Sequence, residues 1–267
     1  MINTYKYRGE TWVDVDHGTE EEVYSLMDKY SIHPFVAKEL SSSTPKPRIE
    51  FRDKSIYCIL HFPVWKHTHS EGGSQEVDFI IALDTLITAR YDSIDALHKF
   101  AKELEVEGVL EKSKDEKPQG NHLIFTGMLR GLYLSIFEEL ECIEDVKEKI
   151  TGQIFQGKEK EMVIAISEVT RTLLDFKTIM DLHHEILLSL KDKGGKVFGE
   201  YFSSEMDSII LDYLKINATI KSKLEILHEL LDTNNSLLTS KQNETIKVLT
   251  VVGAILFIVS IIVALLR

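Results

Sequence analysis

From Val248 to Leu266 the chain carries no charged residue, and Thr250 and Ser260 are the only polar side chains in that run. At about 1.5 Å of helix rise per residue, the run reaches nearly the roughly 30 Å of a bilayer's hydrocarbon core. A core helix of a soluble protein would carry polar residues along one face, and Ser260 with Gly253 does not make such a face. The pattern predicts a transmembrane helix over 248–266. The N-terminal stretch Met1-Ile2-Asn3-Thr4-Tyr5-Lys6-Tyr7-Arg8 has no apolar core of the length a signal peptide needs. Lys221, Lys223, Lys241 and Lys247 precede the span and only Arg267 follows it, so the N-terminal side is expected in the cytoplasm. The expected location is the inner or plasma membrane.

A length of 267 residues accommodates one large domain or two smaller ones, each able to bury a core. Cys58 and Cys142 are too few for a disulfide scaffold and fit a reducing compartment. The formal charge of −12 argues against nucleic acid, which needs a basic footprint. It is compatible with cations as partners, although a solvated acidic surface gives the same figure. The sequence holds no glycine-rich phosphate loop, no nucleophile elbow and no His/Cys cluster at ligand spacing, so an enzyme is not expected.

Two styles of sequence divide the chain. Glu20 to Tyr30 reads as a helix with Val23, Leu26, Met27 and Tyr30 on one face. Pro34 and the run Ser41-Ser42-Ser43-Thr44-Pro45-Lys46-Pro47 read as breaks. Glu50 to Phe62 reads as strand–turn–strand around Asp53-Lys54, and Val77–Leu83 with Leu86–Tyr91 as a second hairpin across Asp84-Thr85. Trp65 to Gln75, with His67 and His69, reads as the loop between them. From Gly120 the spacing is helical, and Lys193-Gly194-Gly195-Lys196 is expected to separate one helix from the next. Beyond it, Ile209, Tyr213, Ile216, Ile220, Leu224, Leu227, Leu231, Asn234 and Leu238 recur at steps of four and three, a heptad-like seam. It runs into the span without proline, or glycine before Gly253, predicting about sixty residues of continuous helix on the order of 90 Å long. Such a helix needs neighbours or self-association. Asp232, Asn234, Asn235 and Ser236 suit a water-filled axis better than a dry core. The fold class is thus an α+β (α/β) N-terminal cytoplasmic domain with a mixed sheet, followed by long helices. Its boundaries are 1–119 for the α/β domain, 120–200 for a helical hairpin, 201–247 for a stalk and 248–266 for the span.

Several segments carry a family resemblance in the right order. Thr11-Trp12-Val13-Asp14-Val15, then Glu20-Glu21-Glu22-Val23 and Tyr30-Ser31-Ile32-His33-Pro34, come first. Pro47-Arg48-Ile49-Glu50 and Leu86-Ile87-Thr88-Ala89 follow. The segment matching nearly position by position is Ser240-Lys241-Gln242-Asn243-Glu244-Thr245-Ile246-Lys247-Val248-Leu249-Thr250. Together they resemble the CorA family of magnesium channels over essentially the whole chain. The resemblance implies a homopentamer passing Mg²⁺, with Co²⁺ or Ni²⁺ as further ions, through a pore lined by the long helix. It places Asn243 in a polar ring at the cytoplasmic end of the pore and Leu249 in a hydrophobic constriction. Phe257 stands where the family has methionine, Ser260 where it has threonine, and Asp232 gives an acidic ring lower in the stalk. Asp207 and Asp212 lie close to the family's regulatory metal positions, although the strict position falls on Ser208. Mg²⁺ is thus implied as both transported and regulatory ion.

The family's Gly-Met-Asn motif and second span do not occur before Arg267, so an incomplete chain is expected. The alternatives are a single-span tethered sensor or regulatory subunit that joins a complete channel, and a zinc transporter of the same fold. His183-His184-Glu185 is not a chelating set, because adjacent helical residues diverge by roughly 100°. His67 and His69 lack a third ligand.

Overall fold

The computed structural model describes residues 1–7, 9–52, 55–65, 73–110 and 123–266, with the side chains of 107–110 excepted. The turn expected at Asp53-Lys54 and the loop histidines His67 and His69 lie outside them. The elements run β1 (Ile2–Tyr7), β2 (Glu10–Asp16), α1 (Glu20–Tyr30), α2 (Pro34–Glu39), β3 (Arg48–Arg52), β4 (Ser55–Val64), β5 (Gly73–Ala82), β6 (Thr85–Arg90) and α3 (Asp95–Leu110). Then come α4 (Leu123–Phe155), α5 (Glu159–Asp181), α6 (His183–Ser189), α7 (Gly195–Phe198) and α8 (Glu200–Leu265). The chain folds as two compact units, Met1–Cys142 with Leu174–Lys221, and Ile143–Leu173 with Ser222–Arg267.

The first unit is built on a six-stranded sheet of order β1-β2-β6-β5-β4-β3. The two expected hairpins form, with β3 antiparallel to β4 and β5 antiparallel to β6. The β2–β6 pair is parallel and sets Trp12 beside Leu86 and Asp14 beside Thr88, so two of the family-like segments are neighbours. Strand residues alternate between faces. Val13, Val15, Tyr57, Ile59, Ile80, Ile87 and Ala89 form one core with Val23, Leu26, Val36 and Leu40 of α1 and α2. On the other face Trp12 meets Phe100 of α3, Phe79 meets Phe125 of α4, and Phe125 stacks on Phe202 of α8.

Local chemistry sets the helix ends. Thr19 and Glu22 make a reciprocal capping box at the start of α1. Pro34 was expected to break helix; it instead occupies the first turn of α2, where its missing N–H costs nothing and its φ suits the helix. Gly194-Gly195 likewise does not separate helices. A Cβ at Gly194 would come within 2.6 Å of the Phe202 ring, and one at Gly195 would collide with the Ser203 hydroxyl. These glycines serve close approach within a continuing turn, and the break falls at Gly199, whose φ of +95° disfavours any side chain. His183 is buried in this core. It accepts from the Tyr133 hydroxyl at Nδ1 and donates from Nε2 to the His61 carbonyl, and burial pushes its pKa down to about 4. His184 stacks on Tyr213.

Two polar networks run through the sheet. On the α3 side, Trp12 Nε1–H donates to Thr88 Oγ1, the Thr88 hydroxyl donates to Asp14, and Arg90 bridges Asp14 and Asp16. On the α1/α2 side, Glu76 accepts from the backbone and hydroxyl of Thr44 and lies 3.3 Å from His61 Nε2. Asp78 is fully buried and accepts from the Tyr57 hydroxyl. Burial first, and the Glu76 charge second, push its pKa up to about 8.

Arg90→Leu strips the charge partner from buried Asp14 and is expected to cost about 3–5 kcal/mol of unfolding free energy, read by urea titration. Folded Asp78 holds its proton to about pH 8, whereas the unfolded chain releases it near pH 3.8. Its contribution therefore favours folding at low pH and is lost as pH rises through that window. Asp78→Asn is expected to flatten the decline in unfolding free energy between pH 5 and pH 8.5 by an amount on the order of a few kcal/mol, read by urea titration.

Candidate functional site

Helix α8 holds every residue of the expected pore. It runs unbroken because no proline interrupts Glu200 to Leu265 and Gly253 lies among strongly apolar neighbours. Its heptad seam is the packed face. In the first unit Phe202, Met206, Ile209, Tyr213, Ile216 and Ile220 are buried, with Tyr213 edge-on to Tyr133. In the second unit Leu227 and Asn234 are buried, Leu224, Leu231 and Leu238 are half-buried, and Lys223 pairs with Glu144 of α4. The expectation that Asn234 faces water is thereby corrected. It is 0% exposed, and its Nδ2–H donates to the Glu159 carbonyl at 2.9 Å.

Glu159, at the start of α5, holds α8 a second time. Lys241 Nζ reaches its carboxylate at 2.6 Å, and that hydrogen bond holds the carboxyl below its ordinary range. The turn that delivers Glu159 follows from Gly157, whose φ is +94°. The N–H of Gly157 bonds to the Ile154 carbonyl and that of Lys158 to the Gln153 carbonyl, which closes α4 as a Schellman motif. The sequence reading missed this clamp: it used Lys241 as a flanking charge and as part of the family-like segment 240–250, and did not single out Glu159. The glycine–lysine–glutamate run after an apolar helical stretch was the available signal.

From Thr239 to Leu266 every residue is exposed. Leu249 is 72% and Phe257 68% exposed, and Ser260 turns its hydroxyl back to the Leu256 carbonyl. Among the described residues, α8 is the one helix long and apolar enough to cross a membrane, and none of that stretch is buried. Asp232 is exposed, and at about 100° per residue it falls within about 20° of Asn243 around the axis. One chain supplies a single carboxylate at Asp232 and a single amide at Asn243, so a ring of oxygen ligands needs several copies.

Asp207 and Asp212 are not brought together. Asp207 pairs with Lys191 at 2.6 Å and Asp212 with Lys215 at 3.0 Å. Among the described residues, no group of three or more His, Cys, Asp or Glu could hold a metal ion.

The family description "CorA-like Mg2+ transporter protein" matches residues 8–265, and the chain belongs to that family of divalent-cation transporters. The cobalt/magnesium transport protein CorA of Thermotoga maritima is 24% identical over 253 residues, covering 92% of this chain and 69% of the relative. The CorA protein of the same description from Methanocaldococcus jannaschii is 22% identical, covering 91% and 75%. The solved complete structure of the M. jannaschii CorA magnesium transporter superposes with a TM-score of 0.76 at 20% identity, covering 91% of this chain and 74% of that one. That likeness shows the fold: a mixed sheet, then long helices ending in an apolar one.

The Asn234 amide oxygen is buried and finds no donor among the described residues. Asn234→Leu is therefore expected to leave thermal stability unchanged or raise it by up to about 1 kcal/mol, while weakening the preference for one helix register. Differential scanning calorimetry checks the first effect.

Proposed function

We propose that this chain is a protomer of a homopentameric channel that passes Mg²⁺, and secondarily Co²⁺ or Ni²⁺, passively into the cytoplasm. The observation that carries the reading is α8. It joins a packed stalk to an exposed apolar span and directs Asp232 and Asn243 to one side of its axis. Five copies around an axis turn these into rings of carboxylate and amide oxygens, hard ligands suited to a small cation that keeps most of its water. Leu249 and Phe257 then form apolar constrictions that gate by dewetting, with Ser260 as a further polar lining position. The T. maritima and M. jannaschii relatives, both cobalt/magnesium transport proteins, support the choice of ion. The sheet domain lies on the cytoplasmic side in this reading, in keeping with the lysines before the span. Regulatory Mg²⁺ at Asp207 and Asp212 belongs to the same proposal, with ligands completed by a neighbouring copy. No step in this reading makes or breaks a covalent bond, so the protein acts as a transporter and not as an enzyme.

The test is Mg²⁺ flux into liposomes holding the purified gene product, with an Mg²⁺-sensitive dye inside. Flux is expected for the native protein, with Asn243→Ala lowering it by about tenfold or changing the Mg²⁺/Co²⁺ preference. Absence of flux at every internal Mg²⁺ level would overturn the proposal.

A further inference from the structure

The clamp and the proposed ring residues on α8 alternate in a way that gives Glu159 a task beyond packing. Asn234 and Lys241 are the two polar residues that reach from α8 to Glu159. Asp232 precedes the first by two positions and Asn243 follows the second by two. Two positions turn the helix by about 200°, so each ring residue points away from the side on which its neighbour is held. Apolar contact is non-directional and leaves small rotations of α8 about its axis weakly specified. Two directional bonds to one residue, at 2.9 Å from its carbonyl and 2.6 Å from its carboxylate, do not.

The position along the helix is equally specific. Among the described residues of this unit, Lys241 makes the last hydrogen bond or ion pair from α8 to another element, and all that follows to Leu266 is exposed. Asn243 stands within the first turn past that contact. Glu159 itself is 5% exposed and anchored by the Gly157 turn, so the fixed end of the clamp is stiff. Lys241 is 54% exposed and bridges outward from the helix.

We propose that Glu159 is a positioning residue for ion passage: by holding Lys241 and Asn234 it fixes the rotation of α8 where the helix leaves its packed neighbours, and so aims Asn243 at the pore axis. This rests on the reading of Asn243 as pore-lining. Loss of the carboxylate releases Lys241 while the carbonyl bond to Asn234 remains, so the helix stays in place but its upper turns rotate more freely. The clamp acts on the direction of a ligand and leaves its chemistry alone.

The experiment uses the full chain in liposomes, with Cys142→Ser removing the exposed thiol and buried Cys58 retained. Single cysteines replace Gln242, Asn243 or Glu244 in turn, and a charged, water-soluble thiol reagent is applied while Mg²⁺ flux is read. With Glu159 present, block is expected at Asn243→Cys alone. With Glu159→Ala, block spreads to Gln242→Cys or Glu244→Cys, and unmodified flux falls at least about threefold. The charge-exchanged pair Glu159→Lys with Lys241→Glu is expected to restore the single blocked position, which loss of folding would not do. An unchanged block pattern in Glu159→Ala, or a charge-exchanged pair as impaired as the single variant, overturns the proposal. If Asn243→Cys is not blocked even with Glu159 present, the pore reading itself fails and this inference falls with it.

Discussion

The apolar side chains of residues 248–265 project from α8 on all sides, and none of the described residues covers them. Water rejects such a surface and hydrocarbon accepts it, since an α-helix satisfies its own backbone hydrogen bonds without help from solvent. The rest of the molecule follows from having to place that segment. The helix is continuous with a stalk whose apolar seam is used inside the chain.

Hydrophobic burial along the seam holds the stalk to its neighbours, but burial alone is indifferent to small rotations. Directional groups supply what it lacks. Lys223 reaches Glu144, and Asn234 and Lys241 reach Glu159. Asn234 is a polar residue interrupting the apolar seam, in the way that a single buried asparagine sets register in a coiled coil at some expense in stability. The sheet uses the same logic, with Asp14, Thr88 and Arg90 fixing which strands pair at its centre.

Much of this was legible in the sequence because it rests on local periodicity. The bounds of α1, the β5–β6 hairpin, the heptad seam and the span all follow from spacing within a few residues. What escaped depends on partners far away along the chain. Trp12 and Thr88 meet only because β2 and β6 run parallel, and no short window reveals that. Asn234 was read as facing water because it sits among Asp232, Asn235 and Ser236. Its burial depends on the turn after α4, which ends more than seventy positions earlier. Gly194 and Gly195 were read as a break because glycine usually marks one. Their actual role, admitting Phe202 and Ser203, is set by α8.

The parallel β2–β6 pair also bears on the order of events during synthesis. Strand β2 leaves the ribosome early, yet it cannot find its central partner until α1, α2 and three further strands have followed. Closing so long a loop is slow compared with forming hairpins. Glu10, whose carboxylate accepts the N–H groups of Leu123 and Ile124, extends this dependence to the start of α4. All of these partners are translated well before Val248. The sheet can therefore be complete before an insertion-competent apolar segment is exposed, so that the chain presents a folded domain to the membrane when its span arrives.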